Sequence, residues 1–193
     1  EEGSRETKGK MRTSVICDKN LTMQDGGWGY NAKAIADGKV MTRDQLVRFL
    51  ANCVVRNMTL LVNVAPDRHG VIPDLEQKRL REVGAWLSKM GESVYGTRSG
   101  PWEPVDGRYG YCFKSSTVYV HLLKEYEGDT FEMPPLGKLK PLKAYNVYSG
   151  NPLVYEKNSE AGVTICGIDR TASPADTVIA VIFDGKIKSV WEK

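Results

Sequence analysis

Histidine and cysteine are scarce in this chain, with two of the first and four of the second among 193 residues. His69 and His121 stand far apart, and Cys17, Cys53, Cys112 and Cys166 form no CxxC pair, so the spacing offers no zinc site. Cys53 falls on the apolar face of a helical pattern and Cys112 and Cys166 lie in strand-like runs, which reads as buried free thiols. Long hydrophobic runs are also lacking, since no stretch approaches the ~20 apolar residues a membrane span needs. Excess charge of one sign is small: 27 basic against 24 acidic side chains leave a net +3. The two signs are interspersed, which speaks against a nucleic-acid partner or a membrane surface. Asn20-Leu21-Thr22 and Asn57-Met58-Thr59 fit the glycosylation sequon, a short pattern that matters only in a secreted eukaryotic protein.

What is present is organised around residues 58–91. The run Leu60-Leu61-Val62-Asn63-Val64 is short, apolar and without polar alternation, which predicts a strand buried on both faces. A turn follows at Ala65-Pro66-Asp67-Arg68-His69-Gly70. Asp74 then reads as the N-cap of a helix, with Gln77 completing a capping box, and Gly91 as its end. Leu75, Leu80, Val83, Trp86, Leu87 and Met90 recur at helical spacing. Residues 42–56 predict another helix, capped by Thr42 with Gln45 and apolar at Leu46, Phe49, Leu50, Cys53 and Val54. Helix, strand and helix in alternation indicate an α/β unit. No partner strand is evident in residues 1–40, so partners are expected in chain upstream of Glu1.

Before that unit, residues 1–14 are charged and nearly free of large apolar groups. The cluster Gly26-Gly27-Trp28-Gly29-Tyr30 puts flat rings in a loop, suited equally to a sugar face or to plugging a core. Its glycines do not follow a strand and open a helix, which excludes a phosphate-binding loop. Past Gly100, Pro101-Trp102-Glu103-Pro104 marks a boundary. Short strands are then predicted at 109–114, 117–123, 143–147, 153–155, 163–165 and 177–183, with Asp184-Gly185 turning into a last strand at 186–190. Strands without helices indicate an antiparallel β-sandwich.

Three motifs in order carry a resemblance. Trp28-Gly29-Tyr30-Asn31, then Thr59 to Asp67 with Gly70 and Ile72, then Val83-Gly84-Ala85-Trp86-Leu87 with Gly91-Glu92-Ser93-Val94-Tyr95-Gly96-Thr97, resemble the α-L-fucosidases of glycoside hydrolase family 29. The resemblance implies the C-terminal portion of a (β/α)8 barrel in residues 1–100, followed by an antiparallel β-sandwich in 101–193. It implies retaining hydrolysis of terminal α-L-fucose from an oligosaccharide or glycoconjugate, with the nucleophilic aspartate and the fucose-gripping histidines upstream of this segment. It implies no metal or cofactor, and a secreted, periplasmic or lysosomal setting. The chain is accordingly expected to be one segment of a longer protein and inactive by itself.

Residue by residue, the resemblance implies Glu6 as the acid/base, with Glu1 and Glu2 as neighbours. Asp18 replaces a family glutamate and reads as a supporting carboxylate or a turn residue. Trp28 is implied to meet the C6 methyl of fucose, with Tyr30 beside it. Asp67 and His69 look catalytic in isolation, but the family keeps Pro66-Asp67 and Gly70 for loop geometry. Arg68 and His69 depart from the usual residues and face an aglycone in this reading. Two other classes remain open: a carbohydrate-binding protein that has lost the acid/base, and an interaction protein made of the sandwich with a helical appendage.

Overall fold

The computed structural model describes residues 9–11, 17–158 and 162–188. Strand β1 (Cys17–Thr22) runs parallel to β2 (Met58–Asn63), in register from Cys17 opposite Met58 to Thr22 opposite Asn63. One partner of β2 therefore lies within residues 1–40. Its sequence, CDKNLT, holds a single large apolar side chain, and that kept it from reading as a strand. Between them lie α1 (Ala32–Ala36) and α2 (Arg43–Val54), and after β2 comes α3 (Asp74–Met90), extended by a 3-10 turn at Gly91–Ser93.

β2 is not buried on both faces. Leu60, Val62 and Val64 pack with Leu21, Met23, Val40, Met41, Leu46 and Phe49, whereas Leu61 is 54% exposed. Asp18, Asn20, Thr59 and Leu61 alternate onto one exposed outer face of the two-stranded sheet. The apolar character of Leu61 hid a half-buried alternation.

The predicted cap of α2 is present. Gln45 N–H donates to Thr42 Oγ1 at 3.3 Å, and Thr42 N–H donates to Gln45 Oε1 at 2.8 Å. The helix unwinds through Asn57, whose φ of 58° is a left-handed value that asparagine tolerates better than most side chains. The predicted cap of α3 is corrected: Pro73 is the N-cap, because its carbonyl accepts the first helical bond from Gln77 N–H at 3.0 Å. Gln77 instead donates its side-chain amide to Ile72 O at 2.8 Å. Asp74 sits inside the first turn, where its charge complements the helix dipole.

Beyond α3, eight strands form one antiparallel sheet: β3 (Arg98–Ser99), β4 (Tyr109–Lys114), β5 (Thr117–Leu122), β6 (Thr130–Met133), β7 (Pro141–Asn146), β8 (Pro152–Lys157), β9 (Val163–Cys166) and β10 (Thr177–Phe183). Their order is β3-β4-β5-β10-β7-β8-β9-β6. β4 and β6 lie near opposite ends of that order, yet Tyr109 and Phe131 meet edge to face at 5.2 Å. The sheet is curled strongly enough for its ends to share one core of Tyr111, Phe113, Val120, Met133, Ile165 and Val181. β3 and β6 were not legible in the sequence. The predicted hairpin after Asp184-Gly185 is not formed over 186–188, where Ile187 N–H donates to Ser115 O at 2.9 Å, and 189–190 lie outside the described residues.

The other face of the sheet packs on the helices. Cys112, Tyr119, Val178 and Ala180 meet Val47, Trp86 and Met90. Close approach needs Gly110, where a Cβ would fall 2.6 Å from the Val55 side chain. Arg56, 1% exposed, ties the two parts further by donating to Asp106 Oδ1 at 2.6 Å, Asn52 Oδ1 at 2.8 Å and Gly9 O at 2.9 Å. None of the four cysteines forms a disulfide; Cys53 and Cys112 are buried, and Cys17 and Cys166 half-buried. Among the described residues no helix is long and apolar enough to cross a membrane.

Candidate functional site

Parallel strands present their following loops at one edge, and ligands in α/β folds gather there. At the carboxyl edge of β1 and β2, Met23 N–H donates to Asn63 O at 3.1 Å, holding the two loop starts together. Asn63 Nδ2 then donates to Trp28 O at 2.9 Å, and the buried Gln24 donates its amide to Gly29 O and accepts from Asn31 N–H at 3.2 Å. Asn31 caps α1 by accepting from Ala34 N–H at 3.1 Å. Gly26, at φ 97°, leaves no room for a side chain, since a Cβ would fall 2.3 Å from Asn31 Nδ2. The backbone of residues 28–31 is thus fixed from three directions while its rings stay out: Trp28 is 60% exposed and Tyr30 45%.

The loop after β2 is built by Asp67. Its Oδ1 accepts from His69 N–H at 2.8 Å and Val71 N–H at 3.0 Å, and its own N–H donates to Val71 O at 2.9 Å. That carboxylate makes a turn, as the geometric reading of Pro66-Asp67 expects. Arg68 donates Nε–H to His69 Nε2 at 3.0 Å on the exposed tip. Glu76, in the first turn of α3, is completely buried, and its Oε2 accepts from Ala65 N–H at 3.1 Å. Burial raises its pKa above the ordinary carboxylate range, and the bond from Ala65 only partly opposes this. Its Oε1 has no partner among the described residues.

Trp28 and Tyr30 are therefore brought together with Asn63 and Gln24. Asp18 is not: it is exposed near the amino end of β1, four residues, or roughly 13 Å, from the carboxyl edge at Thr22. Glu6 lies outside the described residues. Neither Asp67, engaged in its turn, nor Glu76, sealed in the core, is placed to attack a substrate. What the described edge offers is a rigidly held aromatic surface for an apolar face of a ligand. Sequence reasoning passed over Gln24, Asn63 and Glu76. The signal in Asn63 was a polar side chain interrupting an apolar strand. Glu76 carried none, because acids are ordinary in a first helical turn.

A family model described as alpha-L-fucosidase matches residues 4–92. Human plasma alpha-L-fucosidase is 35% identical over 153 residues, covering 75% of this chain and 32% of that protein. The rat plasma enzyme is 30% identical over 152 residues, with the same coverage of both. The chain thus spans about a third of the length of these relatives. Among solved structures, alpha-L-fucosidase isoenzyme 1 from Paenibacillus thiaminolyticus superposes with a TM-score of 0.72 at 25% identity, over 86% of this chain and 39% of that one. A GH29 alpha-L-fucosidase from Bacteroides thetaiotaomicron, trapped as a covalent intermediate, shares the fold with a TM-score of 0.76 at 16% identity, over 90% and 39%. The order of the motifs, the parallel pair with its aromatic loop and these likenesses agree: the chain belongs to the α-L-fucosidase family.

Proposed function

We propose that this chain is part of a retaining exo-glycosidase that removes terminal α-L-fucose from oligosaccharides or glycoconjugates, and that it supplies one aromatic wall of the fucose site. The observation that carries this is the exposed Trp28 ring, pinned through its backbone at the carboxyl edge of two parallel strands. Fucose is a deoxy sugar, and its C6 methyl gains by leaving water against such a ring, at about 0.8 kcal/mol per buried carbon. Residues 1–100 are read as the last units of a (β/α)8 barrel and 101–193 as the β-sandwich that follows it. A secreted, periplasmic or lysosomal location goes with the reading, and cell fractionation tests it.

In the proposed reaction an aspartate from the rest of the protein attacks the anomeric carbon. Glu6, as the carboxylic acid, protonates the departing glycosidic oxygen and then takes a proton from the water that releases fucose. The two carboxyl groups stand about 5–5.5 Å apart in such a mechanism. Asp18, at the far end of its strand, is left outside the reacting centre.

The test is an assay of the protein carrying this chain on an aryl α-L-fucoside, with proton NMR following the first sugar formed. Release of the α anomer first is expected. Release of the β anomer first removes the retaining mechanism. Binding of a fucosylated oligosaccharide without any turnover leaves the carbohydrate-binding reading in its place. Glu6→Ala is expected to lose activity that azide restores, and full activity in that variant excludes Glu6 as the acid/base.

A further inference from the structure

A second polar cluster lies where the sheet meets the helices, away from the aromatic edge. Cys112 on β4, His121 on β5 and Asp176 just before β10 are all completely buried. His121 Nδ1 is 2.8 Å from Asp176 Oδ2, and Nε2 is 3.4 Å from Cys112 Sγ, whose thiol donates to Ser93 O at 3.0 Å. The cluster continues into α3: Trp86 Nε1–H donates to Ser173 Oγ at 3.1 Å, and Ser173 donates in turn to Asp176 O at 2.8 Å. The order Cys–His–Asp is that of a nucleophilic triad, but no substrate reaches a thiol with no exposed surface. The role has to be found in what the cluster joins.

One protonation state satisfies these contacts together. With the thiol hydrogen on Ser93 O, Sγ meets His121 as an acceptor, which requires Nε2 to carry a hydrogen. Nδ1 faces a carboxylate and requires one too. A ring protonated on both nitrogens is an imidazolium, and with it every donor in the row has an acceptor. A neutral ring with hydrogen on Nδ1 would draw the thiol hydrogen to Nε2 and leave Ser93 O without its donor.

We propose that Cys112, His121 and Asp176 form a buried charged lock that fastens α3 and its 3-10 turn to the sheet and releases as alkali removes the imidazolium proton. Burial by itself would lower the pKa of His121, but the charge of Asp176, with Cys112 and the hydrogen bonds to both, outweighs it and holds the ring well above its ordinary range. Cys112 and Asp176 are the titratable groups that face the ring. Arg170 acts on Asp176 from the loop before it. From the helical side the Ser93 carbonyl meets Cys112 and the Trp86 indole meets Ser173, while Glu92 faces Tyr119 and Tyr145. Because the folded-state value is raised, the stabilisation is complete below the unfolded-chain pKa of about 6.5. It declines above that pH and is gone once pH passes the folded-state value.

The experiment is NMR of the imidazole nitrogens in the protein carrying this chain, with His121 assigned as the resonances missing from His121→Gln, or by backbone assignment of 120–122 where that variant does not fold. At pH 8 both ring N–H protons are expected, and Asp176→Asn is expected to return the ring to a neutral tautomer. Urea unfolding followed by far-UV circular dichroism supplies the second reading. The folding constant of the wild type should fall by up to about tenfold per pH unit above pH 6.5, and that slope should vanish in Asp176→Asn. A neutral His121 in the folded wild type at pH 7, or identical slopes in wild type and Asp176→Asn, overturns the proposal.

Discussion

At the scale of single residues, Glu76 and Gly26 show how a side chain, or the lack of one, shapes the edge where Trp28 stands. Glu76 holds Ala65 N–H at the root of the loop after β2, so Glu76→Ala leaves that donor unpaired and is expected to cost about 1–3 kcal/mol by urea unfolding. Glu76→Gln keeps an acceptor and separates bonding from charge. Since burial raises this carboxyl, the folded protein holds its proton more tightly than the unfolded chain. The group therefore favours the fold below the unfolded-chain range near pH 4.3, and this is lost as pH rises through the folded-state value. Glu76→Gln should accordingly gain stability relative to wild type between pH 4 and 7. Equal changes at both pH values would contradict the buried-carboxyl account. Gly26→Ala should displace Asn31 from the cap of α1 and with it the backbone that carries Trp28, read as a change in Trp28 fluorescence.

At the scale of elements, the fold is held by a few well-defined ends and one tight crossing. Thr42→Ala removes the hydroxyl that accepts from Gln45 N–H, leaving only the backbone half of the α2 capping box, and is expected to cost about 1 kcal/mol. Gly110→Val puts a branched side chain where Val55 already sits and is expected to cost more than the cap, about 1–3 kcal/mol. A fall in urea midpoint larger for Thr42→Ala than for Gly110→Val would contradict that ranking. These elements also show what the sequence makes legible. α2, α3, β4, β5 and β10 were visible because their apolar side chains recur at a clear period or run. β1 was not, because a strand with one large apolar residue is specified by its neighbours rather than by its own pattern. His121 lies inside the apolar run of β5 and was read only as a strand residue, because its partners Cys112 and Asp176 are 9 and 55 residues away and no local pattern reveals them. Trp28 and Tyr30 were legible as rings between glycines, whereas the Gln24 and Asn63 contacts that aim them depend on the pairing of β1 with β2.

At the scale of the molecule, the helices and the curled sheet are one packed body. Cys112, Tyr119, Val178 and Ala180 are covered by Val47, Trp86 and Met90, so severing the chain at residue 100 uncovers an apolar sheet face. Residues 101–193 alone are expected to bind a hydrophobic dye and to self-associate, although the β-strand series at first sight reads as an independent domain. A monomeric, dye-free 101–193 would show that the helical cover is dispensable. The same packing links the aromatic edge to the sheet through α3, which carries Glu76 at one end and Trp86 near the other.

The central claim is that Trp28 forms the wall met by the C6 methyl of fucose. It is tested most directly by the ratio of kcat/KM for an aryl α-L-fucoside over the matching aryl α-L-galactoside, which differs by one hydroxyl at C6. Trp28→Ala is expected to lower that ratio by roughly tenfold, in line with the 1–3 kcal/mol at stake in such a contact. A variant that loses activity on both substrates equally, with the ratio unchanged, would place the methyl elsewhere and contradict the account.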